Sequence, residues 1–82
     1  MEKEIRKKLL EKMLRGEYIG TRYMSYDDAH KGFPRDLAGR VRKVVHELIK
    51  DGLIVIPEKK PFTAISLNPK RISEIAEIIR DP

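Results

Sequence analysis

The segment HELIKDGLIVI, residues 46–56, is the feature that most limits what this chain can fold into. Leu48 and Ile49 continue the helical spacing of Val41, Val44 and Val45 up to Gly52, which is typical of the buried face of a helix. After Gly52, Leu53 to Ile56 form a continuous apolar run, which is typical of a buried strand. Glycine often ends a helix because it readily adopts the left-handed backbone conformation. The segment therefore predicts a helix that turns directly into a strand.

The first helix is predicted at residues 2–15, where Ile5, Leu9 and Met13 recur at helical spacing. Its apolar residues together cover about half of the helix surface, whereas a helix on the surface of a domain needs a stripe of only ~100°. We therefore expect that this helix either is packed on two sides or meets a second subunit.

Caps and breakers place the other elements. Pro34 suits the first turn of a helix, where its missing N–H costs nothing. Along the chain we expect helix 2–15 ended by Gly16, strand 18–21, helix 26–31 capped by Ser25 and ended by Gly32, helix 34–50, strands 53–56 and 62–67 with a tip marked by Pro57 and Pro61, and helix 69–80 capped by Asn68. This order, α-β-α-α-β-β-α in a single domain over residues 1–82, predicts the α+β class.

Positive charge is concentrated in one part of the chain. The net charge is +5, and residues 31–43 carry five cations against the single acid Asp36. A localised basic segment is typical of proteins that bind polyanions. The alternative is a helix face that is simply solvated.

Several classes of function are not indicated. Cysteine is absent, which excludes disulfides and thiolate metal sites and fits the cytoplasm. His30 and His46 lie too far apart in sequence to suggest a metal site, and we find no phosphate-binding loop or nucleophile motif. The longest apolar run, residues 53–56, is too short to cross a bilayer. We therefore expect a cytoplasmic protein that is not an enzyme and has no cofactor.

The element order resembles that of the winged helix-turn-helix superfamily of DNA-binding proteins. LIKDGLI, residues 48–54, matches the L-x-x-x-G-L-I pattern that leads from a recognition helix into the first wing strand. Strand 62–67 followed by a capped helix is the second match. The chain has no glutamine and one asparagine, which is similar to small archaeal members from thermophiles. The resemblance implies a three-helix core with a small antiparallel wing sheet.

The resemblance also implies that the protein regulates transcription and that it binds duplex DNA with helix 34–50 in the major groove. Arg40 and Lys43 are the first candidates for contact with bases or phosphates. The other candidates lie beside them or in the wing, and they are Lys31, Arg35, Arg42, His46, Tyr26, Lys59 and Lys60. Gly39 costs ~1 kcal/mol relative to alanine, which indicates close approach of either DNA or a neighbouring helix.

Three further hypotheses depend on apolar or aromatic residues. The wide face of helix 2–15 and an unexplained Ile78 favour a homodimer through residues 2–15 and 69–80. The same surface would suit a winged-helix module that binds another protein in a larger complex. Binding of RNA or single strands requires exposed aromatic residues, and we expect the candidates Tyr18, Tyr23 and Tyr26 to cluster away from the basic helix.

Overall fold

The computed structural model describes residues 2–60 and 63–81, which form three α-helices and a three-stranded antiparallel sheet. The elements in chain order are α1 (Glu2–Arg15), β1 (Met24–Ser25), a 3-10 helix (Tyr26–Asp28), a second 3-10 helix (Arg35–Leu37), α2 (Ala38–Lys50), β2 (Ile54–Val55), β3 (Ala64–Leu67), a third 3-10 helix (Pro69–Arg71) and α3 (Ile72–Arg80). The predicted α+β class is confirmed.

The helix predicted at residues 2–15 is present, and backbone hydrogen bonds close its end. The N–H groups of Tyr18 and Glu17 donate to the carbonyls of Met13 and Leu14, each at 3.0 Å, which is the bonding of a Schellman motif. Glu17 takes the left-handed position with a φ of +59°. Gly16 lies one residue earlier, and a Cβ at Gly16 would overlap the ring of Tyr18. Gly16 is therefore needed for the packing of Tyr18.

The strand predicted at residues 18–21 is wrong. Ile19 forms a single bridge with Leu67, and the chain then turns, with the N–H of Arg22 donating to the carbonyl of Ile19 at 3.2 Å. This turn prevents a strand from continuing. The first strand of the sheet lies later, at Met24–Ser25.

The helix predicted at residues 26–31 is also wrong, because α-helical structure does not form there. Ser25 caps the segment as expected, since its Oγ accepts a hydrogen bond from the N–H of Asp27 at 3.3 Å, but the segment is a 3-10 helix of three residues. Lys12 Nζ donates to the carbonyls of Asp28 and Lys31. Lys12 therefore adds a donor to the Asp28 carbonyl, which also accepts the N–H of Lys31, and supplies one to the carbonyl of Lys31.

The helix predicted at residues 34–50 is present but begins later. Pro34 has an extended ψ of 142° and precedes the 3-10 helix Arg35–Leu37, so that α2 starts at Ala38. At the other end, Gly52 has a φ of +82° and the N–H of Leu53 donates to the carbonyl of Leu48 at 3.0 Å. This second Schellman motif leads directly into β2, as the sequence predicts.

β3 is the central strand of the sheet, between β1 and β2. Met24 lies opposite Ile65, and Ile54 lies opposite Leu67. The strands predicted at residues 53–56 and 62–67 are present but shorter, and Pro61 and Phe62 of that prediction lie outside the described residues. All four residues of β3 are buried, so the sheet is continuous with the core.

α1 is packed on two sides within the chain. It contacts α2, α3 and β3, and Leu9, Leu10 and Met13 are 0% exposed. The first explanation of its wide apolar face is therefore correct. Ile78 of α3, which the sequence left unexplained, also packs against the same core and is partly buried.

α3 is capped as the sequence predicts. The side chain of Asn68 accepts a hydrogen bond from the N–H of Lys70 at 2.9 Å, and Pro69 lies in the first turn. That first turn is a 3-10 helix. Ile75 is fully buried, and the other apolar residues of its face, Ile72, Ala76 and Ile79, are half-buried.

Candidate nucleic-acid interface

α2 has one buried face and one charged face. Val41, Val44, Val45 and Leu48 are at most 2% exposed and hold the helix on the core. The remaining surface of α2 exposes a second set of residues, which are Gly39, Arg40, Arg42, Lys43, His46, Glu47 and Lys50. Five of these seven residues are basic side chains, so the helix presents a predominantly cationic surface to solvent.

Four exposed residues follow one line along α2. Gly39, Lys43, His46 and Lys50 are separated by four, three and four positions, and residues at this spacing lie on the same side of a helix. We call these four residues the exposed line. Arg40 and Arg42 lie on its two sides, because each residue turns the helix by about 100°.

Gly39 is open to solvent at the beginning of the exposed line. A Cβ built on Gly39 would meet nothing within 4 Å. Gly39 also has an ordinary helical backbone, since it is not among the residues with positive φ. Close packing on a neighbouring helix of this chain, one of the two explanations suggested by the sequence, is therefore wrong.

The cations of α2 have few partners among the described residues. Lys43 forms an ion pair with Glu2 at 3.3 Å, and the Lys43 side chain is still 66% exposed. Arg42 and Lys50 form no ion pair with any residue that the structure describes. Arg40 and the preceding Arg35 are exposed. Because exposed ion pairs contribute little free energy, an external anion can replace Glu2 at low cost.

Tyr26 is joined to the exposed line. Its Oη lies 3.2 Å from Nε2 of His46, and the two ring centroids are 5.7 Å apart. The Tyr26 ring packs partly on the core. The expectation that Tyr26 lies away from the basic helix is therefore wrong, because its hydroxyl and ring both contact His46 of α2.

Lys31 is held within its own turn. Its Nζ lies 2.9 Å from Oδ1 of Asp28. This hydrogen bond raises the pKa of Lys31 and lowers the pKa of Asp28, and the attraction between the two charges acts in the same direction. The structure therefore places Lys31 beside Asp28, where it would have to change partners to contact a phosphate.

Two lysines of α1 fix this turn, and sequence reasoning did not find them. Lys12 Nζ donates to the carbonyls of Asp28 at 2.8 Å and Lys31 at 2.6 Å. Lys8 Nζ donates to the carbonyl of Gly32 at 3.0 Å. Partial burial lowers the pKa of Lys12, partly offset by the Asp28 carboxylate. The four-residue spacing of the two lysines shows that they share a face, but their acceptors are distant in sequence.

Lys59 and Lys60 lie in the connection between β2 and β3. Both side chains are exposed, and Lys59 has a φ of +61°. Lys60 Nζ lies 5.7 Å from the centre of the Tyr23 ring. The two wing lysines are therefore on a different element from the exposed line, and Lys60 lies next to an aromatic ring of the segment before β1.

A groove of about 600 Å³ lies between α1 and the turn at residues 28–33. Its cations are Lys8, Lys12, Arg15 and Lys31. Arg15 pairs with Glu11, and the other three bind the carbonyls and carboxylate described above. The four cations of this groove are therefore engaged within the chain.

No protein-family model, curated protein or solved structure matches the chain with statistical significance. Among residues 2–60 and 63–81, none of the helices has the length and apolar character needed to span a membrane. The same residues contain no group of three or more histidine or acidic side chains able to hold a metal ion. What the surface can bind therefore follows from its own geometry and charge.

Proposed function

We propose that this protein is a winged-helix protein that binds duplex DNA, with α2 in the major groove. One observation carries the proposal: a helix whose opposite face is fully buried exposes Arg40, Arg42, Lys43, His46 and Lys50 to solvent. A helix of this kind fits the major groove, which is about 12 Å wide, while remaining fixed to its domain.

The arrangement of the strands supports a winged-helix fold. β2 and β3 follow α2 as an antiparallel pair, and β1 adds to the other edge of β3. This is the order of the superfamily that residues 48–54 resemble. The chain departs from that pattern before α2, where the 3-10 helix Tyr26–Asp28 and the following turns stand in place of the second helix.

The cations of α2 would bind DNA mainly through phosphates. Each phosphate neutralised by a lysine or arginine releases counterions, so that binding weakens as salt concentration rises. Lys43 would exchange its ion pair with Glu2 for a phosphate. Arg40 and Arg42 have the planar guanidinium that also forms two hydrogen bonds with the edge of guanine, so sequence preference would depend on these two residues.

The other candidate residues would position the protein. Arg35, immediately before α2, and Lys31 would contact phosphates beside the helix. Lys59 and Lys60 would contact the backbone from the wing. Tyr26 would orient His46 through the hydrogen bond between Oη and Nε2. Contacts of this kind set the register of a protein on DNA without reading the sequence.

A regulator of transcription in the cytoplasm, of the small archaeal kind, is the role that the resemblance favours. It requires binding and no catalysis or cofactor. The homodimer through residues 2–15 and 69–80 remains a prediction, but the apolar residues that suggested it are covered within the chain. Light scattering at micromolar protein concentration tests it, since a monomer mass would contradict it.

A protein-binding module is the second candidate function. Ile56 is 48% exposed and Tyr23 is 38% exposed, and exposed apolar residues contribute to protein interfaces. These two residues are the most exposed large apolar side chains among the described residues, and they are the first candidates for contact with such a partner.

Fluorescence anisotropy with random-sequence duplex DNA at two salt concentrations tests the proposed function. We compare the wild-type protein with Arg40→Ala/Lys43→Ala. The matched control is Lys70→Ala/Arg80→Ala, which removes two exposed cations from the third 3-10 helix and α3. We expect the first variant to reduce the slope of log affinity against log salt by about 2 and the control to leave it unchanged.

Two outcomes would contradict the proposal. The first is no binding by the wild-type protein at low salt, which would favour the protein-binding module. The second is an equal loss in both variants, which would mean that net charge and not the surface of α2 determines binding. Circular dichroism of both variants checks that they remain folded.

A further inference from the structure

We infer that Gly39 is the point at which the backbone of α2 lies directly against a sugar–phosphate strand of duplex DNA. This inference rests on the proposed function and adds a positioning residue to it. It concerns how deeply and at what angle α2 enters the groove, which the charges alone do not determine.

No described residue of the protein requires a glycine at position 39. Glycine is unfavourable within a helix compared with alanine. A Cβ on Gly39 would meet nothing within 4 Å, and its φ is not positive. By contrast, a Cβ on Gly16 would overlap Tyr18, and Gly52 has a φ of +82°. Gly39 thus has neither of the internal reasons that these two glycines have.

The position of Gly39 on α2 determines where DNA can approach the helix backbone. Gly39 begins the exposed line, one helical turn before Lys43 and two turns before His46. Because Gly39 has no side chain, α2 protrudes least at this end. The exposed Asp36 precedes α2, and the first turn of α2 itself has no acidic residue. A DNA strand can therefore approach the backbone at Gly39 most closely.

Close approach of DNA at Gly39 would also determine the DNA contacts of the neighbouring residues of α2. If a strand rests on Gly39, Lys43 and His46 point towards the groove, and Arg40 and Arg42 flank the same strand. A methyl group at residue 39 would push the strand outward and lengthen each of these contacts. Larger side chains would have a larger effect, because overpacked contacts become more unfavourable with added volume.

Substitutions that add volume test the inference. Gly39→Ala and Gly39→Leu are compared with Ser73→Ala and Ser73→Leu, which change an exposed position of α3. We expect Gly39→Ala to raise the Tm by about 4 °C, since alanine favours a helix. We expect Gly39→Leu to weaken binding of random duplex DNA about tenfold or more and Gly39→Ala to weaken it less. The Ser73 variants should bind like the wild-type protein.

Each outcome decides the matter. Wild-type binding with unchanged affinity in Gly39→Leu would overturn this inference and leave the proposed function intact. A lower Tm for Gly39→Ala would also overturn it, because the fold itself would then require the glycine. Absence of wild-type binding at low salt would overturn the proposed function and this inference together. A graded loss from alanine to leucine in a protein that remains folded would support it.

Discussion

The hydroxyl of Tyr26 and Nε2 of His46 lie 3.2 Å apart and join the 3-10 helix Tyr26–Asp28 to the exposed face of α2. The Tyr26 ring is anchored on the core, whereas His46 is exposed. The anchored residue thus orients the exposed one. This connection is the means by which the segment before α2 influences the surface that we propose for DNA.

A double-mutant cycle measures this connection. We expect Tyr26→Phe and His46→Ala to be coupled by about 0.5–1 kcal/mol in the free energy of unfolding, because each removes the same hydrogen bond. Urea unfolding of both single variants and the double variant gives the coupling. The control pair, Tyr26→Phe with Ser73→Ala, should be additive, and equal additivity in both pairs would contradict the prediction.

Lys12→Met should destabilise the protein by about 1–2 kcal/mol. The substitution keeps the apolar stem but removes the hydrogen bonds to the carbonyls of Asp28 and Lys31, which then lose a charged donor. Urea unfolding measures the change. Lys70→Met, at an exposed position of the third 3-10 helix, serves as the control. If the two variants were equally stable, the lysine would not be fixing the turn.

Glu17→Gly should stabilise the protein by about 1 kcal/mol. Glu17 has a φ of +59°, a conformation that is unfavourable for residues with a Cβ and easy for glycine. Glu17→Ala separates this effect from loss of the carboxylate and should leave stability nearly unchanged. The opposite substitution, Gly52→Ala, should be destabilising, because Gly52 has a φ of +82° and a Cβ would lie 2.9 Å from Nη1 of Arg71. Thermal unfolding compares the three variants.

Asp28 should make stability depend on pH in the acid range. The hydrogen bond from Lys31 holds the pKa of the Asp28 carboxyl below its ordinary value of 3.8 in the folded protein. The carboxylate therefore stabilises the fold above that value, and the effect is lost as pH falls through the folded pKa. We expect Asp28→Asn to be less stable than the wild-type protein at neutral pH and equally stable at the acid end.

Urea unfolding at a series of pH values, with an NMR titration of the Asp28 carboxyl, checks this prediction. Asp27→Asn is the matched control, since Asp27 is exposed and forms no ion pair with a described residue. A difference between Asp28→Asn and the wild-type protein that stayed constant with pH would show that the carboxylate charge is not responsible.

Helices α1, α2 and α3 could be predicted because their signals are local. Apolar spacing gives their buried faces, and Gly52 and Asn68 act on residues within a few positions of themselves. The buried and exposed faces of α2 follow from the same spacing. For this reason four of the nine candidate site residues, Arg40, Arg42, Lys43 and His46, could be assigned to one surface from the sequence.

The segment from Glu17 to Phe33 could not be predicted, because distant residues determine it. Lys8 and Lys12 of α1 bind its carbonyls, and the single bridge of Ile19 requires Leu67. Helix and strand propensities describe neither contact. The spacing of residues along α2 also does not reveal that the space beside Gly39 is open.

The contact between α1 and α3 has a consequence for synthesis on the ribosome. α1 emerges first, yet part of its apolar surface is covered by α3, whose Ile75 is 0% exposed in the finished core. Chains are made at about 5–20 residues per second, so this surface waits for several seconds before its partner helix leaves the exit tunnel. During that interval, the uncovered apolar face of α1 can bind chaperones or other nascent chains. The final fold forms only when α1 and α3 are both outside the tunnel and can pack together.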